Sequence, residues 1–207
     1  MITVRRTTPA DSLNVATVHV RSWQRAFVGV FPQPLLDGLD PVRRAASYGP
    51  SNPDNFTFVA EADGTIIGFA AAGPANPDRD SDLARGSDTA RDSDPAEDGA
   101  RPAGDRDSDP DRDEGLDNDG EVFAIYVDPD RWSGGAGRAL MDAAVAELRN
   151  RGYSRVVLWT AADTPQSHRF YQRYGFHQDG RTGQFTAGAG TDYAATVSIV
   201  RFVLPLT

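Results

Sequence analysis

The chain has 207 residues, 39% of them hydrophobic and 25% charged, with a formal net charge of −9. This length and composition favour one globular domain, with or without an appendage, and the acidic balance argues against a protein that binds nucleic acid through a broad basic face. The sequence contains no cysteine, which excludes disulfides, thiolate metal sites and cysteine nucleophiles.

All 21 basic residues are arginine, and aspartate dominates the acidic ones. This pattern has two interpretations: codon bias in a GC-rich genome, or an acidic proteome adapted to a salty cytoplasm, in which dense carboxylates keep the surface hydrated. Neither a signal-peptide pattern after Arg5 and Arg6 nor an apolar run of the ~20 residues that span a bilayer is found. We therefore expect a cytoplasmic protein without a membrane partner.

The N-terminal part predicts one strand and two helices. Residues 2–6 alternate as a strand does, and residues 9–12 provide helix-start chemistry ahead of apolar residues at three- and four-residue spacing. Pro32 and Pro34 are expected to end that helix, and a second short helix is predicted within residues 41–48. The residues of the first helix predicted to face the core are Leu13, Ala16, Val20, Trp23 and Phe27.

A hairpin follows. Two β-rich runs, residues 56–62 and 65–72, are separated by Asp63-Gly64. This dipeptide suits a type I′ turn, because both of its positions need positive φ.

The C-terminal part predicts a strand–helix–strand unit over residues 122–127, 137–149 and 155–160. A further helix at residues 167–174 is closed by Gly175, and a final long strand covers residues 196–204. The residues of the first of these helices predicted to face inward are Leu140, Ala144, Val145 and Leu148.

Residues 74–120 consist mainly of Asp, Arg, Ser, Gly and Pro, with scarcely a large apolar residue. Such a segment cannot build a core, so we predict a disordered low-complexity insertion between two strands. The tetrapeptide Arg-Asp-Ser-Asp recurs from Arg79, Arg91 and Arg106 at irregular spacing, which indicates expansion of a surface loop. The Asp-x-Asp-x-Asp-Gly spacing of a calcium loop is not completed and the histidines are scattered, so no metal site is predicted.

A strand that begins near Glu121 leads into a glycine-rich turn, residues 133–137, which opens a helix. Backbone N–H groups in such a turn point at one spot, and the helix macrodipole adds to the attraction for an anion such as a diphosphate. A bare structural turn is the alternative. A Walker A loop would need lysine, and a dinucleotide fingerprint would need glycine in place of Leu140.

Two motifs resemble those of the GNAT acetyltransferases. The first is Gln/Arg-x-x-Gly-x-Gly/Ala after the fourth strand; Gly135 and Gly137 match it, whereas Trp132 replaces Gln or Arg. The second is a helix with the pattern Asn-x-x-Ala-x-x-Phe-Tyr, followed by Gly-Phe. Its positions are occupied here by Thr164, Ser167, Phe170, Tyr171, Gly175 and Phe176, with conservative departures at Thr164 and Ser167.

This resemblance implies an α/β (α+β) GNAT fold, with a central mixed, mostly antiparallel sheet of about six to seven strands flanked by helices. One domain would then span residues 1–207, interrupted by the insertion at 74–120. The cosubstrate implied is acetyl-CoA, as acyl donor. The residues implied to bind it are Ile125, Tyr126 and Val127 on the strand, Trp132, Ser133, Gly134, Gly135, Ala136, Gly137 and Arg138 in the turn, and Thr164, Ser167 and Phe170 near the second motif.

Acyl transfer from a thioester to an amine needs a deprotonated amine, a polarised carbonyl and a protonated leaving thiolate. By the resemblance, Glu121 is the general base, Tyr171 is the general acid, and a backbone N–H of residues 125–127 contacts the carbonyl oxygen. The alternatives are a solvated carboxylate for Glu121, a tyrosine packed beside Phe170 for Tyr171, and an exposed helix arginine for Arg138.

Trp23, Phe27 and Phe31 lie in the region that lines the acceptor pocket in this family, with core packing as the alternative for Trp23. We therefore expect an N-acyltransferase that moves an acetyl group from acetyl-CoA to a primary amine of a small molecule or a protein N-terminus. The second hypothesis is an inactive GNAT-fold module that binds acyl-CoA or a partner without turnover. Edge-strand pairing into homodimers is frequent in the family, and a homodimer is compatible with the resemblance.

Overall fold

The computed structural model describes residues 1–46, 53–75 and 118–206. Its strands are β1 Ile2–Arg6, β2 Phe56–Ala62, β3 Thr65–Pro74, β4 Asp119–Val127, β5 Arg155–Ala161, β6 His177–Ala187 and β7 Ala195–Pro205. Its helices are α1 Ser12–Ala26, α2 Gln33–Asp37, α3 Pro41–Ala45, α4 Ala136–Asn150 and α5 Pro165–Tyr174.

The strands form one sheet in the order β1-β2-β3-β4-β5-β7-β6. β4 and β5 are parallel and are joined by α4, whereas the other neighbouring strands are antiparallel. This arrangement confirms the predicted mixed, mostly antiparallel sheet and its strand–helix–strand unit.

The predicted hairpin joins β2 to β3. Asp63 and Gly64 have φ values of 52° and 74°, so both positions of the turn have the positive φ that a type I′ turn requires. A one-residue irregularity in register lies between Ala60 and Glu61.

Helices cover the two faces of the sheet. Alternate residues of a strand point to opposite faces, and accordingly Ala70 packs with α4 whereas Phe69 packs with Val15 and Val18 of α1. The four α4 residues predicted to face inward are all buried. In α1, by contrast, Leu13 is 50% exposed; the prediction was wrong there because Leu13 lies in the first turn, ahead of the buried stripe that begins at Val15.

Two elements were not predicted. α2 begins after Pro32 and contains Pro34 in its first turn, where the missing N–H of proline is tolerated; α1 itself ends earlier, at Ala26. β6 contains Gly180 and Gly183 and shifts register against β7, so the local pattern does not resemble a strand and its pairing with β7 decides its structure.

The predicted insertion is shorter than expected at both ends. β3 extends to Pro74, which pairs with Gly120 of β4, and the Ala75 N–H donates to the Asp119 carbonyl over 2.9 Å. Residues 76–117, the rest of the predicted insertion, lie outside the described residues, as do residues 47 and 48 of the predicted second helix.

Candidate functional site

The two parallel strands at the centre of the sheet stay together only briefly. β4 pairs with β5 at three positions, the last of them Glu121 with Val157. Beyond that point β4 continues beside β3 to Val127 and β5 continues beside β7 to Ala161. The strands therefore diverge, and a cavity of about 830 Å³ is lined by residues of both, together with parts of α1, α4, α5, β6 and β7.

The glycine-rich turn forms one part of the cavity wall. Ser133 and Gly135 have positive φ values of 64° and 91°, and Ala139 donates the first hydrogen bond of the α4 ladder, to the Gly135 carbonyl. The amides of Ala136, Gly137 and Arg138 precede that ladder, as the first N–H groups of any helix do. The turn thus offers a cluster of amides and a positive helix end to an anion.

Gly137 lies within α4 and has no positive φ; the left-handed residues of the turn are Ser133 and Gly135. A Cβ at position 137 would lie 3.4 Å from the Phe170 ring and 3.7 Å from Val127. All three residues line the cavity, so a larger side chain at position 137 would occupy part of it.

Trp132, which replaces the family's Gln or Arg, directs its indole towards the protein. Its Nε1–H donates to the Val127 carbonyl over 2.7 Å, and the Ser22 hydroxyl donates to the same oxygen over 3.0 Å. This carbonyl at the end of β4 therefore joins the turn to α1.

Four arginines line the cavity: one just before the turn, one on α4 and two on α5. The Arg138 side chain is 66% exposed, lies 3.8 Å from Asp142 and lies over the Tyr174 ring, 5.3 Å from its centroid. Arg138 is therefore both an exposed helix arginine and a residue of the cavity lining. The four are Arg131, Arg138, Arg169 and Arg173.

Glu121 lies on β4 where the strands separate. It is 1% exposed and lines the cavity. The alternative of a solvated carboxylate at the start of the strand is therefore wrong: β4 already begins at Asp119, and pairing of Glu121 with both β3 and β5 encloses it.

Tyr171 lies on α5, also in the cavity wall, and is 9% exposed. Its ring packs against Phe170, Phe176 and Phe202. Burial raises the pKa of the Tyr171 hydroxyl above its ordinary value, because the charged phenolate would lose its hydration. The side chain is thus a neutral O–H group over the physiological pH range.

Three further positions of the second motif, Thr164, Ser167 and Phe170, also line the cavity. The Thr164 hydroxyl is buried and donates to the Ala161 carbonyl over 2.7 Å, and it lies 3.3 Å from the Thr160 hydroxyl. Ser167 and Phe170 are half-buried. Thr164 therefore links the end of β5 to the start of α5.

Aromatic side chains line another part of the cavity. The three predicted acceptor-site residues, Trp23, Phe27 and Phe31, are all present there, and Trp23 Nε1–H donates to the Tyr126 hydroxyl over 3.0 Å. Trp159 and Phe185 were not predicted. Phe185 lies on β6, so it could be predicted only together with that strand. Trp159 could be predicted only from the alternation of side chains between the two faces of β5.

Over the described ranges 1–46, 53–75 and 118–206, no group of three or more His, Asp or Glu side chains could hold a metal ion. Nor does any described helix have the length and apolar character needed to cross a bilayer.

The model of the acetyltransferase (GNAT) family matches residues 20–176, more than half of the chain. The sequence is 27% identical over 175 residues to the uncharacterized N-acetyltransferase YuaI of Bacillus subtilis, covering 84% of this chain and 79% of that protein. It is 28% identical over 138 residues to a mycothiol acetyltransferase of Saccharomonospora viridis, covering 66% of this chain but only 34% of that relative.

The fold is similar to the crystal structure of PaiA N-acetyltransferase from Thermoplasma acidophilum in complex with coenzyme A. The TM-score is 0.63 at 14% sequence identity, over 100% of this chain and 99% of that one. The match to the family model over more than half of the chain shows that the chain belongs to the acetyltransferase (GNAT) family.

Proposed function

We propose that the protein is an N-acetyltransferase that moves an acetyl group from acetyl-CoA to a primary amine, of a small molecule or of a protein N-terminus. The observation that supports this most directly is that one cavity contains the glycine-rich turn, the buried carboxylate of Glu121 and the buried hydroxyl of Tyr171. Glu121 and Val127 are six residues apart on β4, about 20 Å along a strand, so an extended cosubstrate can contact the turn and the carboxylate together.

The residues of the cavity fit the parts of acetyl-CoA. The amides of residues 136–138 and the α4 macrodipole suit a diphosphate, and Gly137 leaves room for it between Phe170 and Val127. The arginines before the turn, on α4 and on α5 supply positive charge to the same cavity. The backbone of β4 beyond Glu121, where β5 has diverged, suits an amide-containing arm that adds to the sheet as a strand does.

Bound acetyl-CoA supplies the acetyl thioester, and two side chains of this chain manage protons. Glu121 accepts a proton from the ammonium form of the acceptor, directly or through water, which leaves the amine free to attack. The amine then attacks the thioester carbon, and as the C–S bond breaks Tyr171, which keeps its proton because of its burial, donates it to the departing thiolate. The adduct nitrogen loses its extra proton to the Tyr171 oxygen, which restores the hydroxyl, and Glu121 releases its proton to solvent. A backbone N–H of residues 125–127 binds the carbonyl oxygen, whereas the Val127 carbonyl is occupied by Ser22 and Trp132.

Measurement of thiol release from acetyl-CoA with a broad set of primary amines tests the proposal. We expect amine-dependent thiol release together with formation of the N-acetyl product by mass spectrometry. Acetyl-CoA binding by calorimetry without release for any amine or N-terminal peptide would favour the alternative of a binding module without turnover.

We further propose that residues 1–207 form one domain interrupted by the low-complexity insertion. The ends of residues 76–117 support this, because Ala75 and Asp119 are hydrogen-bonded neighbours and a segment between them leaves and rejoins the sheet at one place.

A further inference from the structure

We propose that the acceptor is a small arylalkyl primary amine, in which an aromatic group is joined to the amine by a short alkyl chain without a carboxylate or a second ammonium. This inference rests on the proposed transferase function and identifies its substrate class. It follows from the chemical character of the residues that line the same cavity as Glu121.

Four aromatic rings from α1, the loop after it and β6 meet at the cavity. Trp23 and Phe31 are stacked with their ring planes 3° apart and their centroids 5.5 Å apart. Phe185 presents its edge to both, at 6.4 Å from each centroid, and Phe27 lies 4.9 Å from Trp23. Offset and edge-to-face contacts of this kind are the arrangements that a further aromatic ring can extend.

The single polar atom of these four rings, the Trp23 Nε1, is already hydrogen-bonded. The indole N–H of Trp23 donates to the Tyr126 hydroxyl, so the part of this buried side chain that lines the cavity is apolar. Val197 and Ile199 of β7 add aliphatic surface to the same cavity. A ligand held there gains by removing apolar surface from water rather than by making hydrogen bonds.

Charge is distributed unevenly around the cavity. Among the described lining residues, the cations belong to the segment just before the turn, α4 and α5, whereas α1, the loop after it, β6 and β7 contribute no charged side chain. Arg201 lies 5.9 Å from the Trp159 ring centroid, but it is buried and donates to Asp179 over 2.8 Å. The carboxylate of an amino acid would therefore be desolvated beside the aromatic rings without a cation to pair with.

The carboxylates favour a single ammonium. Glu121 is buried among the lining residues and can pair with one protonated amine before it accepts the proton. Asp163 also lines the cavity but is exposed, in the loop between β5 and α5. A second ammonium placed beside the four aromatic rings would lose its hydration and gain only cation–π contacts, which offset only part of the desolvation cost.

The size of the cavity favours a small molecule over a protein terminus. A volume of about 830 Å³ is within the range of sites that enclose one drug-sized ligand, and the acetyl-bearing arm of the donor occupies part of it. A small amine with an aromatic ring and a short chain can share a cavity of this size with that arm.

Four amines of graded chemistry test the inference. In 2-phenylethylamine the proposed features are all present; phenylalanine adds a carboxylate, butylamine removes the ring, and putrescine is butylamine with a second ammonium. We expect kcat/KM to be ~10–100-fold higher for 2-phenylethylamine than for butylamine, and phenylalanine and putrescine to react more slowly still. A peptide with N-terminal phenylalanine is the fifth acceptor, and we expect it to react more slowly than 2-phenylethylamine.

Two variants assign the preference to the aromatic rings. Phe185→Ala and the conservative Phe31→Leu should lower kcat/KM for 2-phenylethylamine several-fold more than they lower that for butylamine, and should keep the Kd for acetyl-CoA. Leu36→Val is the matched control, because Leu36 belongs to the same buried cluster but does not line the cavity; it should leave the preference intact.

The outcomes separate this inference from the proposed function. If butylamine, phenylalanine, putrescine or the peptide equals or exceeds 2-phenylethylamine, the substrate class is wrong while the transferase function stands. If acetyl-CoA binds and no amine causes thiol release, the proposed function itself fails. A preference for 2-phenylethylamine that both ring variants retain would also overturn the inference.

Discussion

The Trp132 indole N–H donates to the Val127 carbonyl over 2.7 Å, across the junction between β4 and the glycine-rich turn. The residue that departs from the family motif thus contacts the strand that leads into the turn, and Ser22 of α1 donates to the same oxygen. A carbonyl that accepts from two side-chain donors fixes the direction in which the chain leaves the sheet. Trp132 therefore contributes to the glycine-rich turn by holding its backbone in place rather than by supplying a charge.

Trp132→Phe tests this role, because it removes the N–H and keeps an aromatic ring. A hydrogen bond of this kind contributes about 0.5–1.5 kcal/mol, so the affinity for acetyl-CoA should fall by about 2- to 10-fold, as measured by calorimetry. Ser22→Ala removes the other donor to the same carbonyl and should have an effect of similar size. A variant that binds acetyl-CoA as tightly as the parent would show that the bond does not position the turn.

Gly135 and Gly137, the two glycines that match the first motif, should respond differently to substitution. Gly137→Val places a branched side chain beside Phe170 and Val127, so acetyl-CoA binding should be lost while the Tm changes little. Gly135→Ala has open space for its Cβ but a φ of 91°, which costs an L-residue about 1 kcal/mol; it should lower the Tm by a few degrees. Unchanged binding by Gly137→Val would remove the diphosphate assignment.

Local chemistry explains why much of the site was predictable. The left-handed φ values at Gly135 and Gly175, 91° and 119°, are requirements of a single turn and a single helix end, and glycine is the residue that meets them. The inward residues of α4 follow the helical period in the same way. These features depend on neighbours in sequence.

The rest depends on neighbours in space. The burial of Glu121 results from strands on both sides, β3 and β5, although its local sequence is equally compatible with an exposed strand start. Phe185 reaches the aromatic cluster only because β6 pairs with β7, while the glycines of β6 weaken its strand pattern. No periodicity within one segment contains that information.

Shortening the insertion tests whether the domain needs it. Ala75 and Asp119 are hydrogen-bonded neighbours at the ends of β3 and β4, so replacing residues 76–117 with an Asn-Gly turn should close an ordinary hairpin. We expect the Tm and the Kd for acetyl-CoA to match those of the full chain. A large loss of either would show that the removed segment packs on the domain.

The ion pair between β1 and the start of α1 predicts a pH-dependent contribution to stability. Arg5 donates to both carboxylate oxygens of Asp11, over 2.7 and 3.0 Å. The Arg5 guanidinium, together with hydrogen bonds from Thr8, holds the pKa of Asp11 well below its usual range, against the opposing effect of burial. Because the folded pKa is depressed, this stabilisation is present above the unfolded value of about 3.9 and is lost as the pH falls through the folded value.

Asp11→Asn should therefore lower the Tm at pH 7, and the difference from the parent should shrink as the pH falls below about 4. Asp37→Asn, which removes an exposed carboxylate of α2, is the matched control and should change the Tm little at either pH. A Tm difference for Asp11→Asn that stays constant from pH 7 to pH 3 would contradict the assignment to the carboxylate charge.

Glu121 and Tyr171 together separate catalysis from binding. In the proposed mechanism Glu121 takes the proton of the amine and Tyr171 returns one to the thiolate, so Glu121→Gln and Tyr171→Phe should each lower kcat by about 10²–10⁴-fold or somewhat less. The Kd for acetyl-CoA should stay nearly constant, because the turn and the β4 backbone hold it.

The pH profiles distinguish the two roles. Glu121→Gln should lose the acidic limb of kcat/KM, and a second acceptor amine of different pKa shows whether that limb belongs to the enzyme or to the substrate. Burial raises the pKa of Tyr171, so the parent should keep its proton donor, and its kcat, up to at least about pH 10. If kcat falls on the basic side well below that pH, and Tyr171→Phe shows the same fall, another group limits the reaction. If both variants turn over like the parent, proton transfer passes through the substrate or water instead of these side chains.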